Sequence, residues 1–513
     1  MNPMYPIAQI RQIEQAAQAT LAPGTLMQRA GTAAAHAALE LIKFPHQQTS
    51  ILVLAGPGDN GGDALESAAH LAQLGLSVSV LLHADPDKQS VAAKQALLRA
   101  QASSAKFIDS SQTNDVDAVI TSTPWTLVID GLFGIGLTRP LPDQLHQIVN
   151  TINRLHCVVL ALDVPSGLDA DTGNIVDDQA GGRGVAVRAS HTITFIADKP
   201  GLHTCDGRDL AGQVQVARLG IDHSLFPASA IRLNHPDLFA ASLQQRKHNS
   251  HKGSFGDVAV IGGALGMAGA VILAARTAAQ CGAGRVFAAF LQDAPAYDSA
   301  QPELMCRRAH ELDFSAMAVV IGPGLGTSAA ARDVLLHALQ AATPLVLDAD
   351  ALNLIGAESS LQKIVTQRQA VSLMTPHPLE AARLLGKSGA AIQLDRVDAA
   401  RRLAAQYGSV VILKGSGTVI AGVDGEIAIN PNGNAGLATA GSGDVLAGLC
   451  GALLAQGWPV WEAALAAVWL HGAAADTLVA QGIGAIGLTA GELIPVLRSG
   501  LNRLTAEQAL LRR

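Results

Sequence analysis

The chain has 513 residues, of which 49% are apolar, 15% charged and 3% aromatic, with a formal net charge of −7. That length is too great for one ordinary core and predicts two domains, and the composition is that of a globular chain rather than a disordered one. The acidic balance and the scarcity of rings argue against a nucleic-acid partner, because duplex binding needs a basic surface and single strands need stacking platforms.

Residues 7–43 are helical in character, with IRQIEQAAQ followed by LMQRAGTAAAHAALELI, until Pro45 and HQQTS break the pattern. The N-terminus lacks a basic start followed by an apolar run, so no secretory signal is expected and a cytoplasmic location is. ILVLAG (51–56) reads as a strand, PGDNGGD as a loop, ALESAAHLAQLG as a helix and LSVSVLL as a second strand. The rhythm continues through WTLVIDGLFG (125–134), CVVLALDVPSG (157–167) and HTITFIADKPG (191–201). In the first two of these an apolar run ends in an aspartate and a glycine turn. Ligands of open α/β sheets gather at the carboxyl ends of strands, and Asp63, Asp130 and Asp163 are expected near such ends.

Residues 219–253 interrupt the rhythm with prolines and the polar run QQRKHNSHKG. The expected division is a domain at 1–220, a linker at 221–245 and a domain at 246–513. The second half restarts with DVAVIGG (257–263) and AMAVVIGPGLG (316–326), followed by PLVLDADAL, SLMTPHP and VVILKGSG. Val258 to Ala275 carries no charge over 18 residues, close to the lower limit of a membrane span, yet it reads as strand, glycine turn and helix start, so no membrane is expected. The tail AEQALLRR reads as a helix end. The five cysteines (Cys157, Cys205, Cys281, Cys306, Cys450) have no metal-like spacing and suggest no disulfide framework.

Two constellations carry chemistry. In AGPGDNGGDALESA (55–68), glycines followed by a helix can offer backbone N–H groups to a phosphate, although the same glycines also fit a tight turn. Together with DGLFGIGLTRP (130–140) and DVPSGLDADTG (163–173), they place Asn60, Asp130, Asp163 and Ser166 on loops that can converge. Those oxygen donors suit a hard cation and a hydroxylated substrate, while each residue taken singly also fits a helix cap or an Asx-turn. In NAGLATAGSGDVLAG (434–448), a small-residue turn precedes an apolar helix, and Asp444 is its only charge. A carboxylate beside an anion hole suits phosphoryl transfer to an alcohol; a plain helix cap is the alternative.

The three N-terminal segments resemble the epimerase domain of the bifunctional NAD(P)H-hydrate repair enzymes over residues 10–220, with GDNGGDA here in place of the family's GNNGGDG. HKG, GPGLG, DADALN, TPHP, KG and GDVLAG resemble the ADP- or ATP-dependent NAD(P)H-hydrate dehydratases over residues 245–505, with TPHPLE in place of TPHPGE and GNAG in place of GNPG. The resemblance implies a two-domain α/β architecture, an N-terminal Rossmann-like three-layer αβα sandwich and a C-terminal ribokinase-like αβα domain. It implies epimerisation of the R and S hydrates (NADHX and NADPHX) and nucleotide-dependent dehydration of the S form, with AMP and phosphate released when ADP is used.

By that match, Asn60, Asp130 and Ser166 take part in a potassium site. Asp59, Asn60, Gly61, Gly62 and Asp63, and Gly134, Ile135, Gly136, Leu137, Thr138, Arg139 and Pro140, surround the substrate. Asp163 binds the hydrated ring and handles its proton. Ala270, Gly324 and His377 contact the hydrate in the second domain. Lys414, Gly415, Ser416, Gly417 and Thr418 hold the nucleotide, Gly443 lines the phosphate hole, and Asp444 binds substrate and acts as base, with Mg2+ accompanying ADP. The resemblance also implies a homo-oligomer. The rival readings are a ribokinase-like kinase of a small hydroxymethyl compound fused to a nucleotide-binding domain, and a binding protein without turnover.

Overall fold

The computed structural model describes residues 3–42, 49–85, 89–108, 116–177 and 184–512. The proline break at Pro45 falls outside them. The chain divides into two compact units, one ending at Ile231 and the other beginning at Arg232.

The N-terminal unit is wound on a parallel sheet of β1 (Ser50–Ala55), β2 (Ser77–Leu82), β3 (Lys106–Ile108), β4 (Leu127–Gly131), β5 (Val158–Leu162), β6 (His191–Phe195) and β7 (Gln213–Ala217). The spatial order is β3-β2-β1-β4-β5-β6-β7. The period-two alternation of strands sorts its side chains. Ile51, Val53 and Ala55 face one layer with α1 (Ile7–Gln18), α2 (Thr25–Leu41), α3 (Asp59–Gln73) and α4 (Val91–Gln101), and Leu52 and Leu54 face the other with α5 (Asp143–Ile152). Both faces of β1 are therefore buried, which is why ILVLA carries no polar residue.

α3 starts at Asp59, earlier than the expected helix at Ala64. Gly61 and Gly62 lie inside the helix and not in a loop. They serve close packing: a Cβ at Gly61 would stand 2.0 Å from the Gly56 carbonyl oxygen, and one at Gly62 would stand 2.5 Å from Met27 Cε. Neither has a positive φ.

The C-terminal unit uses β8 (Asp257–Gly262), β9 (Arg285–Phe290), β10 (Met305–Arg308), β11 (Ala318–Ile321), β12 (Leu345–Leu347), β13 (Ser372–Met374), β14 (Val410–Leu413), β15 (Val419–Ala421) and β16 (Ile427–Ile429). These run in the order β16-β15-β14-β13-β12-β11-β8-β9-β10, parallel except for the antiparallel ribbon β14-β15-β16. The helices that bear on function are α6 (Ala268–Gln280), α7 (Ala329–Gln340), α8 (Ala349–Ala357), α9 (Pro378–Leu385), α10 (Ser442–Ala455), α11 (Val460–Ala480) and α12 (Ala490–Leu511).

The uncharged stretch 258–275 is strand β8, a glycine turn and the start of α6. α11 is the one helix among the described residues with the length and apolarity of a membrane span, and 67% of its most apolar window is buried inside the unit. It packs in one cluster with α6, α10 and α12, as a core helix does. The five cysteines all lie among the described residues, and no disulfide joins them.

In each unit the order of strands reverses beside the first strand, between β1 and β4 and between β8 and β11. That is where an open α/β sheet leaves a crevice at its carboxyl edge. α10 is held to this edge by Gly448, where a Cβ would lie 2.2 Å from the Ala274 carbonyl oxygen of α6. Gly448→Ala is expected to push these two helices apart and lower the stability of the C-terminal unit by about 1–3 kcal/mol. Urea denaturation followed by tryptophan fluorescence measures it.

Candidate active sites

The N-terminal crevice is built from four strand ends. The Asp130 side chain, the last charged group of β4, is fully buried; its Oδ1 accepts from Ser166 Oγ at 2.7 Å and its Oδ2 from Ser166 N at 2.9 Å. Ser166 Oγ also accepts from Phe133 N at 2.9 Å, tying the loop after β4 to the loop after β5. Asp163 follows β5 with φ +66, a left-handed conformation rare for a residue with a Cβ. A Cβ at Gly134 would stand 3.2 Å from Asp163 Oδ2 and 3.3 Å from Asn60 Cγ, so Gly134, Asn60 and Asp163 converge on one spot. Glycine at 134 keeps that spot open.

The electrostatics are unusual. Asp163 Oδ1 sits 2.8 Å from the ammonium of Lys199, a lysine with no exposed side-chain surface. Lys199 Nζ also donates to Thr194 Oγ1 at 2.6 Å and to the Phe195 and Ala197 carbonyls at 3.0 and 3.2 Å. Asp63 lies a full turn inside α3, not at a strand end, and its carboxyl is pushed well above the ordinary range by burial, with Asp163, Asp59, Glu14 and Glu66 adding to the shift. Burial, together with Asp59 and Asp163, likewise raises Glu14 of α1. Burial raises Asp130 in spite of its hydrogen bonds to Ser166 and Leu132.

The raised carboxyls, beside the buried side-chain amide of Asn60 whose oxygen and nitrogen both lack a partner, form an oxygen-rich pocket in which carboxyls outnumber the one ammonium of Lys199. That donor set fits a hard monovalent cation. Departures from the family's glycine loop are accommodated. Ala64 is fully buried with its methyl over Gly131, and Asp59 at the first turn of α3 accepts from Ser90 Oγ at 2.7 Å. Of the residues expected to surround the substrate, Ile135 packs against the core and Leu137 is buried within it, so Leu137 faces a ligand with its backbone only; Thr138 and Arg139 are exposed.

In the C-terminal crevice, Asp444 occupies the first turn of α10, behind an N-cap glycine, Gly441, with φ +87. No side-chain hydrogen bond caps α10. Capping therefore does not account for Asp444. Its carboxyl is pushed up to about 6, first by burial and then by Asp348, with Lys414 opposing and Asp350 adding. Lys414 Nζ is 2.8 Å from Asp348 Oδ1, and a Cβ at Gly443 would stand 3.3 Å from Lys414 Nζ. The lysine of KGSG and the turn of GSGD thus meet, although 28 residues separate Lys414 from Ser442. Gly415 and Gly417 have positive φ, and Thr418 Oγ1 closes the loop onto the Gly415 carbonyl at 3.1 Å.

On the other wall, Ala270 lies against Gly324: a Cβ there would come within 3.3 Å of the Ala270 methyl. Gly324 has φ +56, and its carbonyl accepts from Ala264 N at 2.7 Å. His377 caps α9: its Nδ1 accepts from Leu379 N and Glu380 N at 3.1 and 3.3 Å, and its Nε2 lies 3.2 Å from Glu380 Oε1. Burial and then Lys414 lower the His377 pKa, and the two N–H groups donating to Nδ1 leave the ring proton on Nε2. Glu380 is raised to about 7, chiefly by burial.

Sequence reasoning passed over Lys199, Glu14, Asp348 and Glu380. Lys199 carried one signal, a lysine just past the apolar run HTITFIA; Asp348 and Glu380 stood inside DADALN and TPHPLE without a role of their own, and Glu14 sat in an ordinary helical context. Lys199→Met is expected to lower N-terminal stability by about 3–5 kcal/mol, because it strands the Asp163 charge. Hydrogen exchange of β4, β5 and β6 under urea reads that loss against an unchanged C-terminal unit.

Residues 258–496 match the family model of NAD(P)H-hydrate dehydratase, and residues 23–201 match that of the YjeF-related protein N-terminus. The chain is 38% identical over 512 residues to the bifunctional NAD(P)H-hydrate repair enzyme Nnr of Coxiella burnetii, covering 98% of this chain and 100% of the relative. It is 37% identical to the same-named enzyme of Escherichia coli, over 88% of this chain and 85% of that one. It is 47% identical to the ADP-dependent (S)-NAD(P)H-hydrate dehydratase of Neisseria meningitidis, over 53% of this chain and 93% of the relative. With both crevices matched and one relative aligned end to end, the chain belongs to the family of bifunctional NAD(P)H-hydrate repair enzymes.

Proposed function

We propose that the N-terminal crevice interconverts the R and S hydrates of NADH and NADPH through Asp163, and that the C-terminal crevice dehydrates the S form through Asp444 at the expense of ADP. The family assignment makes the enzyme bifunctional, an isomerase and a lyase in metabolite repair. The observation that carries the residue assignment is Asp444: a half-buried carboxylate in the first turn of a helix, near a lysine, with its pKa pushed up to about 6. A general base works best when its pKa lies close to the operating pH.

The chemistry follows. Asp444 takes the proton of the C6 hydroxyl while that oxygen attacks the terminal phosphorus of ADP. The bond from phosphorus to the bridging oxygen breaks, and AMP leaves. The N-terminus of α10, with its unpaired N–H groups, and the Lys414 ammonium offset charge on the transferred group. Magnesium would accompany the nucleotide and offset its phosphate charge. The ring nitrogen lone pair then expels phosphate from C6, and loss of a C5 proton restores the dihydronicotinamide. Lys414 to Thr418 hold the nucleotide, and Ala270, Gly324 and His377 hold the hydrate. With Nδ1 committed to capping and Nε2 beside Glu380, His377 offers the substrate its ring face.

In the first crevice, Lys199 holds Asp163 in place for general acid–base exchange at the C6 hydroxyl. Asn60, Asp130 and Ser166 would hold a potassium ion, which would supply fixed positive charge in a pocket of carboxylates. The loop 134–140 and the start of α3 surround the substrate.

The test uses the purified chain with mixed R and S hydrates, ADP and magnesium, following NADH absorbance, both epimers, AMP and phosphate. Wild type is expected to consume both epimers. Asp444→Asn should slow recovery by about 10²–10⁴-fold. Because Asp444 must be ionised to act, the wild-type rate should fall as pH drops through about 6. Asp163→Asn should consume S and leave R behind, and replacing potassium by choline should slow conversion of R to S. A stable phosphorylated product without NADH would favour the kinase reading instead.

A further inference from the structure

Asp348 stands at the N-cap position of α8, where an aspartate side chain ordinarily accepts a backbone N–H of the first turn, an interaction of about 1 kcal/mol. Here it makes no such bond. Its carboxylate turns elsewhere: Oδ1 accepts from Thr375 Oγ1 at 2.7 Å and pairs with Lys414 Nζ at 2.8 Å. The Asp348 side chain is 2% exposed and that of Lys414 21%, so the ion pair is shielded while the ammonium keeps a face to the crevice. The backbone is fixed on both sides. Lys414 N donates to the Pro376 carbonyl at 2.9 Å, and Gly322 packs so tightly that a Cβ would stand 1.8 Å from the Asp348 carbonyl oxygen. Ala349, next in the chain, has φ +46, a strained conformation that this turn tolerates.

We propose that Asp348 is a positioning residue of the dehydratase: it pins the Lys414 ammonium against the N-terminal turn of α10, beside Asp444, where the phosphoryl group is handed over. The proposal rests on the phosphoryl-transfer reading of Asp444. A lysine on an exposed loop samples many rotamers, whereas one held by a buried carboxylate meets the nucleotide already oriented. Asp348 forgoes a helix cap and Thr375 spends its hydroxyl for that orientation. The ionisable groups around the pair are Asp350, His377, Glu380, Asp444, Cys450 and His471. Asp348 is the charge that most strongly raises the Asp444 carboxyl, so neutralising Asp348 moves the titration of Asp444 downward.

The test is a double-mutant cycle in the full chain with Asp348→Asn and Lys414→Met, reading Mg·ADP affinity by calorimetry and kcat for recovery of NADH from the S hydrate. Asp348→Asn should weaken Mg·ADP binding and lower kcat, the latter by up to about 100-fold. It should also shift the acid limb of the kcat profile to lower pH. Added to Lys414→Met, it should bring no further loss, because the lysine it positions is already gone. Losses that multiply, or an Asp348→Asn chain with unchanged affinity and acid limb, overturn the proposal. Thr375→Val, which leaves both charges in place, repeats the cycle if Asp348→Asn does not fold; a smaller loss, again absent in the Lys414→Met background, supports the same conclusion, and a multiplying loss overturns it. Absence of recovery in the wild type, with a non-additive cycle in Mg·ADP binding, would overturn the phosphoryl-transfer reading while leaving the positioning role in place.

Discussion

A lysine ammonium 2.8 Å from a buried carboxylate organises each half of this molecule: Lys199 with Asp163 in the first unit, Lys414 with Asp348 in the second. Each pair sits at the carboxyl edge of a parallel sheet, where the backbone turns away from its ladder and burial of charge is costly. Removing one partner strands the other in a medium that cannot solvate it. The loops around each crevice are therefore shaped to keep both partners together, down to the left-handed backbone at Asp163 and Ala349.

The two pairs are used differently. In the first unit the lysine contacts the carboxylate assigned to proton handling, and the surrounding carboxyls of Glu14 and Asp63 are raised by burial and by one another. The excess of acid beside the unpaired Asn60 amide is the observation behind the cation proposed there. In the second unit the lysine pairs with a supporting aspartate, and the proposed base, Asp444, is left apart with its pKa pushed up to about 6. On the proposed roles, one pair anchors a reacting group, and the other holds an ammonium ready for an incoming anion.

Glycine does related work in both units, by closeness more than by turn conformation. Gly61 and Gly62 lie inside α3 and let it press on Gly56 and Met27, and Gly448 lets α10 press on α6. The helix ends that face the ligands are thereby set from behind. Reading the glycines of GDNGGDA as a loop placed the start of α3 too late, because a helix with two glycines has poor intrinsic propensity and only tertiary packing makes up the difference.

The sequence by itself determined the two-domain α/β class, the alternation that buries both faces of β1, and the short motifs in which Asp163 and Asp444 stand. Those follow from local periodicity and from residue types whose chemistry does not depend on distant partners. Only the tertiary structure decided which residues accompany them. Lys199 and Asp348 are 36 and 66 residues from the groups they hold, and no pattern along the chain marks such a pair. Nor could the sequence tell whether Asp444 capped its helix or Asp348 capped its own. Both are aspartates at a helix start, and for Asp348 the choice was made by a lysine arriving from another strand, since a shielded ammonium outweighs a backbone N–H that the helix can leave to other partners.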